Sequence, residues 1–251
     1  MTSGIKSKMK SMDDRVVEFE DDMEGALVFK YKQFYGTHWE SVLDSSPVKR
    51  IKIKDFCDLY LTQTSYPHDR FERLVHYLFD FKIQLFFILE VDIGLYNHLV
   101  YNQGYDHTSI GENPYILLKM LCLDQSVILK SRILWERVMN FVYFLETGIE
   151  LESKAGKSKK GAFFKFVQDS EWSFLCRYRD YIDWFDDKLR TPETHKSSTL
   201  RRHFQKGGQP PSEKVMAFLN IVMNVFWENM LTVVRGDEVH SRSWTTGMDN
   251  E

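Results

Sequence analysis

The chain has 251 residues, 43% of them apolar and 15% aromatic, enough for one globular domain or two small ones and too hydrophobic for a disordered chain. Its formal charge is −3 and its pI about 6.3, so it is not a general polyanion binder, and any nucleic-acid surface must be a local patch. Cys57, Cys122 and Cys176 are far apart, with neither a disulfide framework nor zinc-ligand spacing; they read as free thiols in a reducing compartment, and neither metal nor cofactor is expected.

Residues 1 to 14 are basic and polar, read as a flexible tail, and lack the apolar stretch of a secretory signal. Between 15 and 54, FKYKQFY and IKIK alternate apolar and charged side chains, which favours short strands. From Pro67 the pattern turns helical, with Phe71, Leu74, Val75, Leu78 and Phe79 at spacings of three and four, and a helix is expected to about Tyr101. The most apolar run, 83 to 96, contains Glu90 and Asp92 and is too short to span a bilayer, so a soluble, cytoplasmic protein without a membrane partner is expected. Gly104, Gly111 and Pro114 mark a loop.

A second long helix is expected from about Tyr115 to Glu146, ending at Gly148 as its C-cap. Residues 152 to 161 read as a basic loop, followed by a third helix from about Phe163 to Leu189. A fourth, shorter helix begins at Thr191 or Pro192 and fades near Gly207; a fifth runs from about Ser212 to Val234. The fold class is therefore all-α: an antiparallel helical bundle over 113 to 236, an N-terminal extension over 15 to 112 with short strands, and tails at 1 to 14 and 237 to 251.

The chemistry concentrates in LRTPETHKSSTLRRH, residues 189 to 203. Thr191-Pro192-Glu193 has the composition of a helix start: a capping hydroxyl, a proline suited to the first position, and an acid in the first turn. That assignment puts His195 one turn into the helix and Arg190 just before it, where both reach the helix N-terminus and its free N–H groups. From Lys188 to Lys206 there are six Lys or Arg and one acid, an island of +5 in a chain of −3, so the remainder is about −8. Such an island points to an anionic partner, RNA or a nucleotide, with Thr191, Lys196, Arg201 and Arg202 guiding its backbone. A neutral His195 can take a proton from a ribose 2′-OH, and Arg190 can offset charge building on a phosphorane.

Spacing alone does not single out this pair. Arg70 and His76, and Arg235 and His240, are similarly spaced, but the first pair diverges within a helix by about 600° of turn and the second lies past the last helix among acids. On the second helix, Gln125, Arg132, Glu136 and Asn140 form a polar stripe. It is read as a water-facing face with an Arg132–Glu136 ion pair, or as a face from which Arg132 and Glu136 orient Arg190 or His195.

LRTPETH after two long helices, with SRILWERVMNFVYFLETG over 131 to 148, resembles the HEPN superfamily of small helical bundles, whose Arg-x4–6-His motif opens a later helix. The resemblance spans about 113 to 236. It implies a metal-independent endoribonuclease of a toxin or defence system, a homodimer whose two motifs share a cleft, with Arg190 and His195 as the catalytic pair and an antitoxin-type protein as partner. Some members keep the fold for RNA or nucleotide binding or for assembly alone. Family members usually carry a polar residue such as Asn, Asp or His after the arginine; Thr191, followed by Pro192, stands there in this chain.

Overall fold

A computed structural model describes residues 3–62, 66–92, 114–153, 158–191 and 211–239, and among these the fold is all-α, with no strand. Helix α1 (Ser3–Tyr35) buries Met12, Val16, Glu20, Leu27 and Tyr31, a stripe at steps of four and seven. Residues 3 to 14 thus open a helix rather than forming a loose tail. The strands expected near 29 to 35 and 51 to 54 do not form. Tyr31 is buried because it lies one helical turn from Leu27, whereas Phe29, which a strand would place on the same face, is 73% exposed.

The IKIK alternation is real but serves a helix start. Helices α2 (Trp39–Ser45) and α3 (Pro47–Arg50) precede it, and α4 (Ile53–Thr62) begins within it. Ile51 and Ile53 are buried, while Lys52 reaches Glu24 at 3.3 Å and Lys54 reaches Asp13 at 2.9 Å. From Phe56 the burial steps become helical, through Cys57 and Tyr60.

Helix α5 (Phe71–Phe86) follows the predicted stripe and continues as a π-helical turn, Phe87–Asp92. The part of that predicted helix beyond Asp92, and the loop through Gly104 and Gly111, lie outside the described residues. Helix α6 (Pro114–Thr147) agrees with the second predicted helix, with proline at its first position.

Gly148 ends α6 at φ +70°, a left-handed conformation that glycine adopts without strain. Arg70 closes the same end: its Nη1 donates to the carbonyls of Leu145 at 2.7 Å and Glu146 at 3.1 Å. A Cβ at position 148 would lie 2.7 Å from Arg70 Nε. Gly148→Ala should therefore cost about 2 kcal/mol, from the left-handed penalty plus displacement of the arginine. Urea unfolding measures it, and a wild-type midpoint would show the Arg70 cap to be dispensable.

The predicted third helix, 163 to 189, is broken. Helix α7 (Lys159–Val167) starts on Ser158, whose Oγ accepts from Gly161 N–H at 3.1 Å, and stops at a turn built by Ser170. The Ser170 hydroxyl donates to Val167 O at 3.0 Å and accepts from Trp172 N–H at 3.2 Å, bonds that compete with helix continuation. The turn buries Trp172, whose Nε1 donates to Glu146 at 2.7 Å, an acid that also receives the Tyr66 hydroxyl. A 3₁₀ turn (Ser173–Tyr178) leads into α8 (Arg179–Phe185), which winds on as a π-helical segment, Asp186–Arg190. Helix α9 (Pro211–Arg235) agrees with the fifth predicted helix.

Helices α5 and α6 pack along one another; α1 covers α4 and α5, and α9 lies against α4 and α6. One continuous apolar core joins residues from both sides of the undescribed 93 to 113 segment. No helix among the described residues is long and apolar enough to cross a membrane.

Candidate functional site

Three elements bring cations to one carboxylate. Asp186, the first residue of the π-helical segment, is 5% exposed. Arg190, one turn later, donates from Nε to Asp186 Oδ1 at 2.7 Å. Lys160 of α7 donates to Asp186 Oδ2 at 2.9 Å and contacts Asp183 at 2.6 Å. Arg132 of α6 places Nε 3.1 Å from Asp186 Oδ1, a charge contact outside hydrogen-bonding angles. Burial alone would push the Asp186 carboxyl up; the Lys160 hydrogen bond, with Arg132 and Arg190 beside it, outweighs this and leaves it below the ordinary value. Lys160 is held above its own ordinary value, its bonds to Asp183 and Asp186 outweighing burial.

Local packing fixes the frame of this cluster. Trp135 of α6 packs on Tyr178 and Tyr181, and Tyr181 stacks on Phe218 of α9 at 3.5 Å between ring centroids. Trp135 sits about one turn from Arg132 on α6, and Tyr181 about one and a half turns before Asp186. They hold the two helices at the spacing that the Arg132–Asp186 contact needs.

The structure brings Arg190 and Arg132 together, both on Asp186. Glu136 pairs with Arg132 at 3.2 Å and is 47% exposed on its side chain, which is the ion-pair arrangement read from the stripe. The carboxylate that engages Arg190 is instead Asp186, which the sequence reading missed. Its signal was available as Asp-x3-Arg, an i,i+4 pair within a helix.

Thr191 is not the expected N-cap. Its φ of −63° and ψ of −45° are helical, and its N–H donates to Asp186 O, so the helix winds through Arg190 rather than restarting there. The side-chain pair to Asp186 four residues back and this backbone bond five residues back both favour continuation. His195, Lys196, Arg201 and Arg202 lie outside the described residues. Among the described residues no three His, Cys, Asp or Glu side chains converge as a metal site would require. No family model matches the chain, and neither a curated protein nor a solved structure matches it.

Proposed function

We propose that the chain is an RNA-directed helical bundle of the HEPN-like kind, a metal-independent endoribonuclease that works as a homodimer in a toxin or defence system. The observation that carries this reading is the fixed guanidinium of Arg190, anchored on buried Asp186 at the head of the +5 segment that contains His195. An oriented guanidinium is suited to a phosphate, because its donors lie in one plane at fixed angles.

In the reaction, His195 takes the proton of a ribose 2′-OH, and that oxygen attacks the adjacent phosphorus. Arg190 offsets charge on the phosphorane. The P–O5′ bond breaks, the leaving oxygen takes a proton, and the products are a 2′,3′-cyclic phosphate end and a 5′-OH end. Lys196, Arg201, Arg202 and Thr191 hold the flanking backbone.

A second reading is a non-catalytic RNA- or nucleotide-binding or assembly module. Its assembly form is favoured by the charge balance around Arg190, where Arg132, Lys160 and Arg190 face Asp183, Asp186 and Glu136. Incubating labelled RNA in EDTA with wild type and His195→Ala separates the two. The first reading expects wild type to leave cyclic-phosphate ends and the variant to bind RNA without cutting it. Equal cutting by both would remove His195 from the mechanism. Binding without cutting by wild type, weakened by salt, would establish the second reading.

A further inference from the structure

We infer that Asp186 is a positioning residue for Arg190, orienting its guanidinium toward an RNA phosphate; the inference rests on the RNA-directed reading above. Asp186 holds Arg190 and Thr191, the two residues of the expected phosphate-handling set that lie among the described residues. Its carboxylate takes Arg190 Nε at 2.7 Å and its carbonyl takes the Thr191 N–H. The carboxylate is itself held from two other elements, by Lys160 of α7 on Oδ2 and Arg132 of α6 on Oδ1. Asp183, on the same helix as Asp186, shares Lys160.

This arrangement differs from an ordinary i,i+4 surface pair, in which both side chains are mobile and the gain is small. Here the acceptor side chain is 7% exposed and clamped, while the Arg190 side chain as a whole is 33% exposed. Nε, Cζ and the two terminal nitrogens are coplanar, so fixing Nε against a rigid acceptor fixes the plane of the remaining donors. A buried carboxylate among cations is a weak device for stability, since apolar side chains of like volume serve as well. Its use here is geometric: it removes the rotamer freedom of a long side chain before a phosphate arrives.

The test is a double-mutant cycle of Asp186→Asn and Arg190→Ala on an RNA oligonucleotide, reading single-turnover cleavage and Kd separately. Asp186→Asn should slow cleavage by about tenfold to a hundredfold with little change in Kd. The double variant should be no slower than Arg190→Ala alone, because the first change acts only through the second. A nitrogen–proton spectrum gives a readout independent of RNA: the Arg190 Nε–H, identified by its loss in Arg190→Lys, should exchange slowly in wild type and rapidly in Asp186→Asn.

Wild-type cleavage by Asp186→Asn, additive losses in the cycle, or a rapidly exchanging Nε–H in wild type would each overturn the assignment. A wild type that neither binds nor cuts RNA, with the slow Nε–H present, would instead overturn the RNA reading and with it this role, leaving the ion pair intact. Should Asp186→Asn fail to fold, Arg190→Lys decides. It keeps the charge without Nε, so it should cut as poorly as Arg190→Ala, and wild-type cutting would refute the positioning role.

Discussion

Glu20→Ala is expected to lower folding stability by about 3–5 kcal/mol, the scale for removing one partner of a buried ion pair. Lys82 of α5 has a side chain 2% exposed, and its Nζ lies 2.8 Å from Glu20 Oε1 of α1. The same oxygen accepts the Ile53 N–H at 2.7 Å, one of the donors that the first turn of α4 leaves without an intrahelical partner. Truncation would therefore strand a buried ammonium and a buried amide together. Burial already pushes Lys82 below its ordinary value, with Glu20 opposing the shift, so the variant lysine would shed its proton or drag water inward. Glu20→Gln should fall between wild type and Ala, because it keeps an acceptor for Ile53 while losing the charge. Pairing Glu20→Leu with Lys82→Met should recover most of the loss, since the buried charge is then gone and only the amide remains unpaired. Urea midpoints at constant slope measure each step. A Glu20→Ala protein within about 1 kcal/mol of wild type would mean that Lys82 reaches water along its flexible stem, and the pair would not be a structural anchor.

Helices α5, α6 and α9 were legible because each buries a single face at helical period over many residues, from Phe71 to Leu85, from Val127 to Leu145 and from Val215 to Val234. FKYKQFY misled because seven residues fit both periods, and only the longer register from Met12 to Tyr31 separates them. The break before Trp172 has a local cause, the Ser170 hydroxyl, but its benefit is remote, since Trp172 turns inward to meet Glu146 on α6. The candidate site divides the same way. Arg190 stood out by its charge island, while Asp186 was missed although its i,i+4 spacing was there to be read. The convergence of Arg132 and Lys160 on Asp186 is a tertiary fact, set by how α6 and α7 pack against α8, and no periodicity within one helix encodes it. Thr191 shows the converse: its capping chemistry is real, but the winding of the preceding helix takes precedence.

Glu90→Ala should cost about 2–6 kcal/mol, whereas Glu90→Gln should stabilise the fold at neutral pH. Glu90 lies on the π-helical turn after α5 and is 3% exposed. Its Oε1 accepts from Ser46 Oγ at 2.7 Å and from the Tyr31 hydroxyl at 2.9 Å, while Lys30 Nζ stands 3.8 Å from Oε2. Ala would leave two buried hydroxyls without their acceptor, at about 1–3 kcal/mol for each such group. Gln keeps that acceptor and carries no charge. Burial pushes the Glu90 carboxyl above its ordinary value, and the Ser46, Lys30 and Tyr31 contacts do not offset it fully. Between the unfolded and folded values the native state holds a proton that the unfolded chain has released, so stability falls as pH rises through this window. Above the folded value the full cost of the buried charge is present, and Glu90→Gln escapes it. Below the unfolded value, near pH 4, wild type is protonated in both states and the two proteins should have about equal midpoints. Urea unfolding of wild type and Glu90→Gln at pH 4 and pH 7 checks the sign. A Gln variant less stable than wild type at pH 7 would show that Lys30 sustains the carboxylate despite its distance, and would make Glu90 an anchor of charge rather than an acceptor for two hydroxyls.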